Sequence, residues 1–203
     1  MKDIDIRNGL KNTLLKKYVD DSESFLIDEF NVSLGVVRAD IALFNGVMHA
    51  YEIKSECDTL KRLDNQIYEY NKFFEYVTVV SCEKFMNRVL ESVPENCGLI
   101  LAKNGKDGVK FKQVRKAKKN KGIDKICLAK ALWKDEMIEI LENKQYNRGF
   151  KSKSKPLLYE ILAQEFSANQ LVQIVKNKIK KRAKLAVESE HIQCDGYSRL
   201  FSM

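Results

Sequence analysis

The chain has 203 residues, 44% of them apolar, with only two prolines and nine glycines. That composition suits one sizeable globular domain, or a domain with an appended helical part, and excludes a disordered chain. No apolar run of signal-peptide type opens the chain and no segment reaches the length of a membrane span, so a soluble, cytoplasmic protein with no membrane partner is expected. The net charge of +8 is unevenly placed: residues 1–100 carry 12 Lys/Arg against 17 Asp/Glu, and residues 101–203 carry 24 against 11. A basic half favours a phosphate-rich partner, although solvated lysine-rich helices would give the same count. The five cysteines, Cys57, Cys82, Cys97, Cys127 and Cys194, form no C-x-x-C pair and are read as reduced, mostly core residues.

In chain order, Ile6, Leu10, Leu14 and Tyr18 recur at helical spacing and predict a first helix over residues 6–19. Residues 25–32 read as a short strand with Glu29 at its centre. Two further strands follow, residues 38–44 and 48–55, around Asn45-Gly46, a strong hairpin signal. They contain Asp40, Glu52 and Lys54. Glu52 and Lys54 are two apart and share one strand face, with Ile53 on the other. Burying a carboxylate beside an ammonium costs several kcal/mol per ion unless each is well paired. A divalent cation held by Asp40 and Glu52 would offset that cost, and Mg²⁺ (or Mn²⁺) suits such oxygen ligands. It would polarise a phosphodiester and activate a water, with Lys54 beside it. The alternative is a surface hairpin with one incidental Glu-Lys pair. Register separates them: a strict two-residue loop puts Asp40 and Glu52 on opposite faces, whereas a three-residue loop 45–47, or a bulge, sets them opposite each other.

Asp58 is a candidate N-cap for a helix over residues 59–75. The apolar run 76–81 then reads as a buried strand, parallel to the hairpin's second strand through a right-handed crossover. A helix over 83–91 and strands over 98–102 and 109–114 complete a mixed sheet with helices on its faces, an α/β fold. From Asp124 the periodicity is helical, with Trp133 expected to anchor this part against the sheet. Residues 143–155 read as a loop, Pro156 starts a helix to about 166, and the capping box Ser167-Ala168-Asn169-Gln170 starts a basic last helix to about 187. The domain division expected is 1–122 and 123–203.

With these elements placed, the chain resembles the PD-(D/E)XK superfamily of restriction-endonuclease-like nucleases, and within it a small bacterial and phage group. The matching text is Arg38-Ala39-Asp40-Ile41-Ala42, Tyr51-Glu52-Ile53-Lys54-Ser55, the stretch from Asp58 to Leu63, Gln66-x-x-x-Tyr70 and the stretch from Leu132 to Glu136. Ala39 stands where the family's motif names proline. The resemblance implies a restriction-endonuclease-like mixed sheet with a helical C-terminal part and a metal-dependent deoxyribonuclease, with RNA and a homodimer left open. It implies Asp40, Glu52, Glu29 and the Ile53 carbonyl as metal ligands, Lys54 as the catalytic lysine, and Gln66 in the catalytic set. Asp28 could exchange roles with Glu29. Arg38 and Tyr70 would contact nucleic acid, although Tyr70 also lies on an apolar stripe. A toxin, a phage-defence effector and a repair enzyme are equally compatible with this reading.

The alternative from another class is a non-catalytic nucleic-acid-binding or regulatory protein on a nuclease-like fold. The last two helices could form a helix-turn-helix, although their turn lacks the common glycine and suits an ordinary helical hairpin better. Arg115, Lys116, Lys118 and Lys119, with Lys121, are candidates for sequence-blind phosphate contact or else a solvated loop. The two histidines, His49 and His191, are assigned no role.

Overall fold

The computed structural model describes residues 1–144 and 149–190, the last four of these as helix backbone. The chain divides into two compact units. One joins Met1–Phe30 to Val37–Gly122, and the other joins Asn31–Val36 to the chain from Ile123 onward.

The first unit is built on a six-stranded mixed sheet of strand order β1-β2-β3-β4-β5-β6. Its strands are β1 (Phe25–Val32), β2 (Val37–Phe44), β3 (Met48–Lys54), β4 (Tyr76–Cys82), β5 (Gly98–Gly105) and β6 (Gly108–Arg115). β2 and β3 form the expected antiparallel hairpin. β3, β4 and β5 run parallel, joined by crossover helices α3 (Leu63–Phe73) and α4 (Glu83–Ser92), and β6 returns antiparallel to β5. The hairpin loop is the three-residue one. Phe44 faces Met48 and Ile41 faces Tyr51, a register that continues to Asp40 opposite Glu52. Asn45 closes the loop, its side chain accepting from Val47 N at 2.9 Å.

Alternation along the strands gives the sheet two buried faces. On one, Ile41, Leu43, Tyr51, Ile53, Val80, Ile100 and Ala102 pack under Ile6 and Leu10 of α1 (Asp3–Asn12) and Leu15. On the other, Phe44 meets Phe30 and Phe74, and both of these meet Phe73, in an aromatic cluster with ring centroids 5.0–6.3 Å apart. Two expected helices are shorter than their patterns. The first breaks after Asn12 and resumes as α2 (Lys16–Val19), so that Leu15 is buried and Leu14 is not. The second starts at Leu63 because Asp58 caps Ser55, accepting from its N–H at 2.8 Å and its hydroxyl at 2.5 Å, and turns the chain before the helix begins.

After β6 the chain continues as a strap past the ends of β4 and β5. Lys118 N donates to Asn96 O and Asn120 N to Glu75 O. Gly98 makes the close approach of this strap possible: a Cβ there would lie 2.6 Å from Thr78 Oγ1 and 2.9 Å from Ala117 N. Gly98→Ala should therefore lower stability by about 1–3 kcal/mol, read as a drop in Tm.

In the second unit, α5 (Lys125–Lys130), α6 (Lys134–Glu142), α7 (Lys155–Glu165) and α8 (Ala168–Glu190) pack together. The Ser167/Gln170 capping box forms as expected, with Ser167 N donating to Gln170 Oε1 at 2.9 Å. Trp133, expected as an anchor on the sheet, is 38% exposed and lies 4.2 Å from the Arg182 guanidinium. Cys57 is exposed, Cys82, Cys97 and Cys127 are buried, and all four are free thiols; Cys194 and His191 lie outside the described residues. Among the described residues no helix is long and apolar enough to cross a membrane.

Candidate functional site

The hairpin register brings the predicted acids together and supplies each with an internal partner. Glu52, 1% exposed, accepts from Lys54 Nζ at 2.7 Å on one oxygen. Its other oxygen lies 2.7 Å from the Tyr70 hydroxyl, which is also 2.7 Å from the Arg38 carbonyl and shares its one proton between them. Lys54 Nζ donates in addition to Gln66 Oε1 at 3.0 Å. Gln66 and Tyr70 stand one turn apart on α3, so a single helix face meets both charged residues of β3. Tyr70 is fully buried and therefore belongs to the core, not to a nucleic-acid surface.

Asp40 accepts from Ile53 N at 2.6 Å. Ile53 thus meets Asp40 through its backbone N–H. The other partner of Asp40 is Arg7 of α1, which the sequence reading missed. Its guanidinium donates to the Asp40 carbonyl at 2.9 Å, lies 3.4 Å from Asp40 Oδ1 and bonds Glu29 at 2.6 Å and Asp3 at 3.2 Å. Glu29 sits in β1 at φ +55°, a left-handed conformation costing roughly 1–2 kcal/mol. Its second oxygen pairs with exposed Arg38 at 2.5 Å. Asp28 pairs with Lys11 at 2.5 Å, and its other oxygen lies 4.0 Å from the Arg7 guanidinium, farther than Glu29. The only cue to Arg7 in the sequence was one cation beside the Ile6/Leu10 stripe.

Electrostatics follow from this burial. Asp40 is pushed up from 3.8 to about 7, first by loss of water and then by Glu52, while the Ile53 N–H and Arg7 oppose the shift. Glu52 is also raised by burial, against the pull of Lys54 and Tyr70. No buried side-chain nitrogen or oxygen among the described residues lacks a partner. The cost of burying these acids is therefore offset by the chain's own Arg7 and Lys54 and by neutral donors. Among the described residues, no three Asp, Glu, His or Cys side chains converge on a cation-sized site. The Mg²⁺ or Mn²⁺ that the motif implied would have to compete for these two acids with Arg7, Lys54, Tyr70 and the Ile53 N–H.

The basic residues divide differently from expectation. Between Lys103 and Lys121 there are nine Lys/Arg against a single Asp, a net of +8 on β5, β6 and the strap of the first unit. Within that run Arg115 is structural: its guanidinium donates to the carbonyls of Cys97, Val93 and Pro94 at 2.8–3.1 Å and pins the strap. Lys103 pairs with Glu83, Lys118 with Glu95 and Lys119 with buried Glu75. Lys106, Lys110, Lys112, Lys116 and Lys121 are exposed and have no acidic partner among the described residues. The last helix, by contrast, is less free than its composition suggested. Lys176 and Arg182 are each 5% exposed, Arg182 bonds Glu136 and the Ala131 carbonyl, and Lys178 pairs with Glu139 at 2.7 Å.

Comparison with known proteins gives a consistent result. A family profile described as bacteriophage P4 protein cII matches residues 1–193. Protein cII of Enterobacteria phage P4 is 33% identical over 161 residues, 79% of this chain and 60% of that protein, so the chain spans about three-fifths of that relative's length. A solved structure of a protein of unknown function from Silicibacter pomeroyi is similar over 91% of this chain and 92% of that one, at 14% identity and a TM-score of 0.42. The family match overturns membership of the nuclease superfamily and, with it, the metal-dependent deoxyribonuclease activity: neither the family nor the phage relative is described as a nuclease. The physical reason is that D…E-x-K is a spacing. Two facing strands with a buried acid each and a lysine two residues on reproduce it, and here that spacing builds a paired charge network.

Proposed function

Because the chain belongs to the phage P4 protein cII family, we propose that it is a non-catalytic regulatory protein that works by binding nucleic acid through the lysine-rich edge of its sheet unit. The observation that carries this reading is the run from Lys103 to Lys121, with its net of +8 and its five exposed lysines that have no acid partner among the described residues. Lysines on an edge strand also discourage sheet-to-sheet pairing. Edge protection, however, needs one or two charges, and it does not account for Lys116 and Lys121 on the strap beyond β6. Cations this close repel one another, and a phosphate backbone relieves that repulsion while releasing counterions.

The test is binding of a labelled 20-base-pair DNA duplex, and of RNA of the same sequence, across a salt series. Wild type should bind with a steep loss of affinity as salt rises. The triple variant Lys106→Glu, Lys110→Glu, Lys112→Glu should bind more weakly, with the logarithmic salt slope shallower by about 2–3. An unchanged slope removes this edge from the interface, and no binding of either duplex by wild type removes duplex nucleic acid as the partner.

A further inference from the structure

The sheet face that α1 covers also carries a cleft of about 360 Å³, within the size range of small-ligand sites. Every lining residue comes from a strand, from the β2–β3 loop or from the strap, and no helix contributes. Three rings form one wall. His49 and Tyr51 are stacked with centroids 4.3 Å apart at 21°, and Tyr76 lies 5.6 Å from His49. His49 Nε2 is 2.8 Å from Thr78 Oγ1, and burial lowers its pKa from 6.5 to about 3, so this wall carries no charge at neutral pH. The opposite side is polar. Gln113 and Lys116 are exposed there, and their side chains engage no partner among the described residues. Arg115 between them is held by carbonyls, which fixes the strap and the position of Lys116.

An uncharged aromatic wall facing an amide and a single ammonium suits a planar heteroaromatic ring tethered to an anion. An acidic peptide would find only one free cation, and a purely apolar ligand would leave the Gln113 and Lys116 side unused. We propose that this cleft binds one nucleotide, its base against the rings of His49, Tyr51 and Tyr76 and its phosphate at Lys116. The inference rests on the nucleic-acid reading and deepens it, since Lys116 belongs to the same lysine-rich run, 103–121, as the exposed lysines of β6 and is the lysine of that run, without an acid partner among the described residues, that lines the cleft. Base-on-ring stacking is tolerant of sequence, so the site would favour single strands over duplex.

The experiment titrates fluorescein-labelled (dA)8, AMP as competitor, and separately the 20-base-pair duplex. Wild type should bind (dA)8, and Tyr76→Ala should weaken that binding about tenfold or more. Because Tyr76 opens β4 and its loss could disturb the fold, Gln113→Glu and Lys116→Glu on exposed side chains are tested beside it. Each should weaken (dA)8 severalfold with an unchanged circular dichroism spectrum. Displacement by AMP identifies a free nucleotide as a sufficient ligand, and retention of (dA)8 against AMP identifies the strand as the source; both support the site. Equal (dA)8 affinity in all three variants, or no binding of (dA)8 or AMP by wild type, overturns it. Duplex binding that is lost in the Lys106/Lys110/Lys112 variant, together with (dA)8 binding equal in wild type and the cleft variants, would leave the proposed function standing while the cleft fails.

Discussion

Lys54→Met should lower the unfolding free energy by about 3–5 kcal/mol, measured by urea denaturation near neutral pH. The reason is what the substitution leaves behind. Lys54 is 5% exposed and Glu52 1% exposed, and the 2.7 Å bond between them is the one ion pair of that carboxylate among the described residues. Methionine fills the lysine's volume, so cavity formation contributes little, and the loss comes from an uncompensated buried charge. Glu52, already raised by burial, would respond by taking up a proton. The double variant Glu52→Gln, Lys54→Met should recover most of the loss, because the glutamine carbonyl still accepts from Tyr70 while no charge remains. A single variant costing less than about 1 kcal/mol would show that Glu52 is already neutral in the folded protein and that the pair contributes little.

This network shows where sequence reading succeeds and where it stops. The hairpin was legible from its strand alternation and Asn-Gly turn, but the loop was not: a two-residue loop and a three-residue loop or bulge were both open, and only the structure selects the three-residue one that sets Asp40 opposite Glu52. That Gln66 and Tyr70 share a helix face was legible from their spacing of four, but that this face meets Lys54 and Glu52 was implied by the motif alone and is seen only in the hydrogen bonds. The partner of Asp40 was not legible. Arg7 lies 33 residues away in α1, and nothing in its local pattern says which acid it will meet. Without Arg7, the acids seemed to need a cation from outside the chain; with it, the chain neutralises them. Lysine counting met the same limit. Composition locates a basic half, but only the fold separates Arg182, engaged by Glu136, from Lys110 and Lys112, which face solvent.

The pH dependence of stability should be set by two residues acting in opposite directions. Asp40 titrates at about 7 when folded and near 3.8 when unfolded, so between these values the folded state holds the extra proton. Its contribution is present at low pH and is lost as pH rises toward 7. His49 titrates at about 3 when folded and near 6.5 when unfolded, so below 6.5 the unfolded state holds the extra proton. Its contribution is present above 6.5 and is lost as pH falls toward 3. Each slope is at most about 1.4 kcal/mol per pH unit. Over pH 4–6.5 these two nearly cancel, and raised Glu52 should leave wild-type stability falling gently as pH rises. Asp40→Asn exposes the histidine: stability should fall by up to about 3 kcal/mol as pH is lowered from 6.5 to 4. His49→Gln exposes the aspartate: stability should fall by up to about 4 kcal/mol as pH is raised from 4 to 7, with raised Glu52 adding in the same direction. Denaturation curves of the three proteins at pH 4.5, 5.5, 6.5 and 7.5 measure this directly. Parallel profiles for wild type and Asp40→Asn would mean that Arg7 and the Ile53 N–H hold Asp40 ionised throughout, and the burial penalty assigned to it would be wrong.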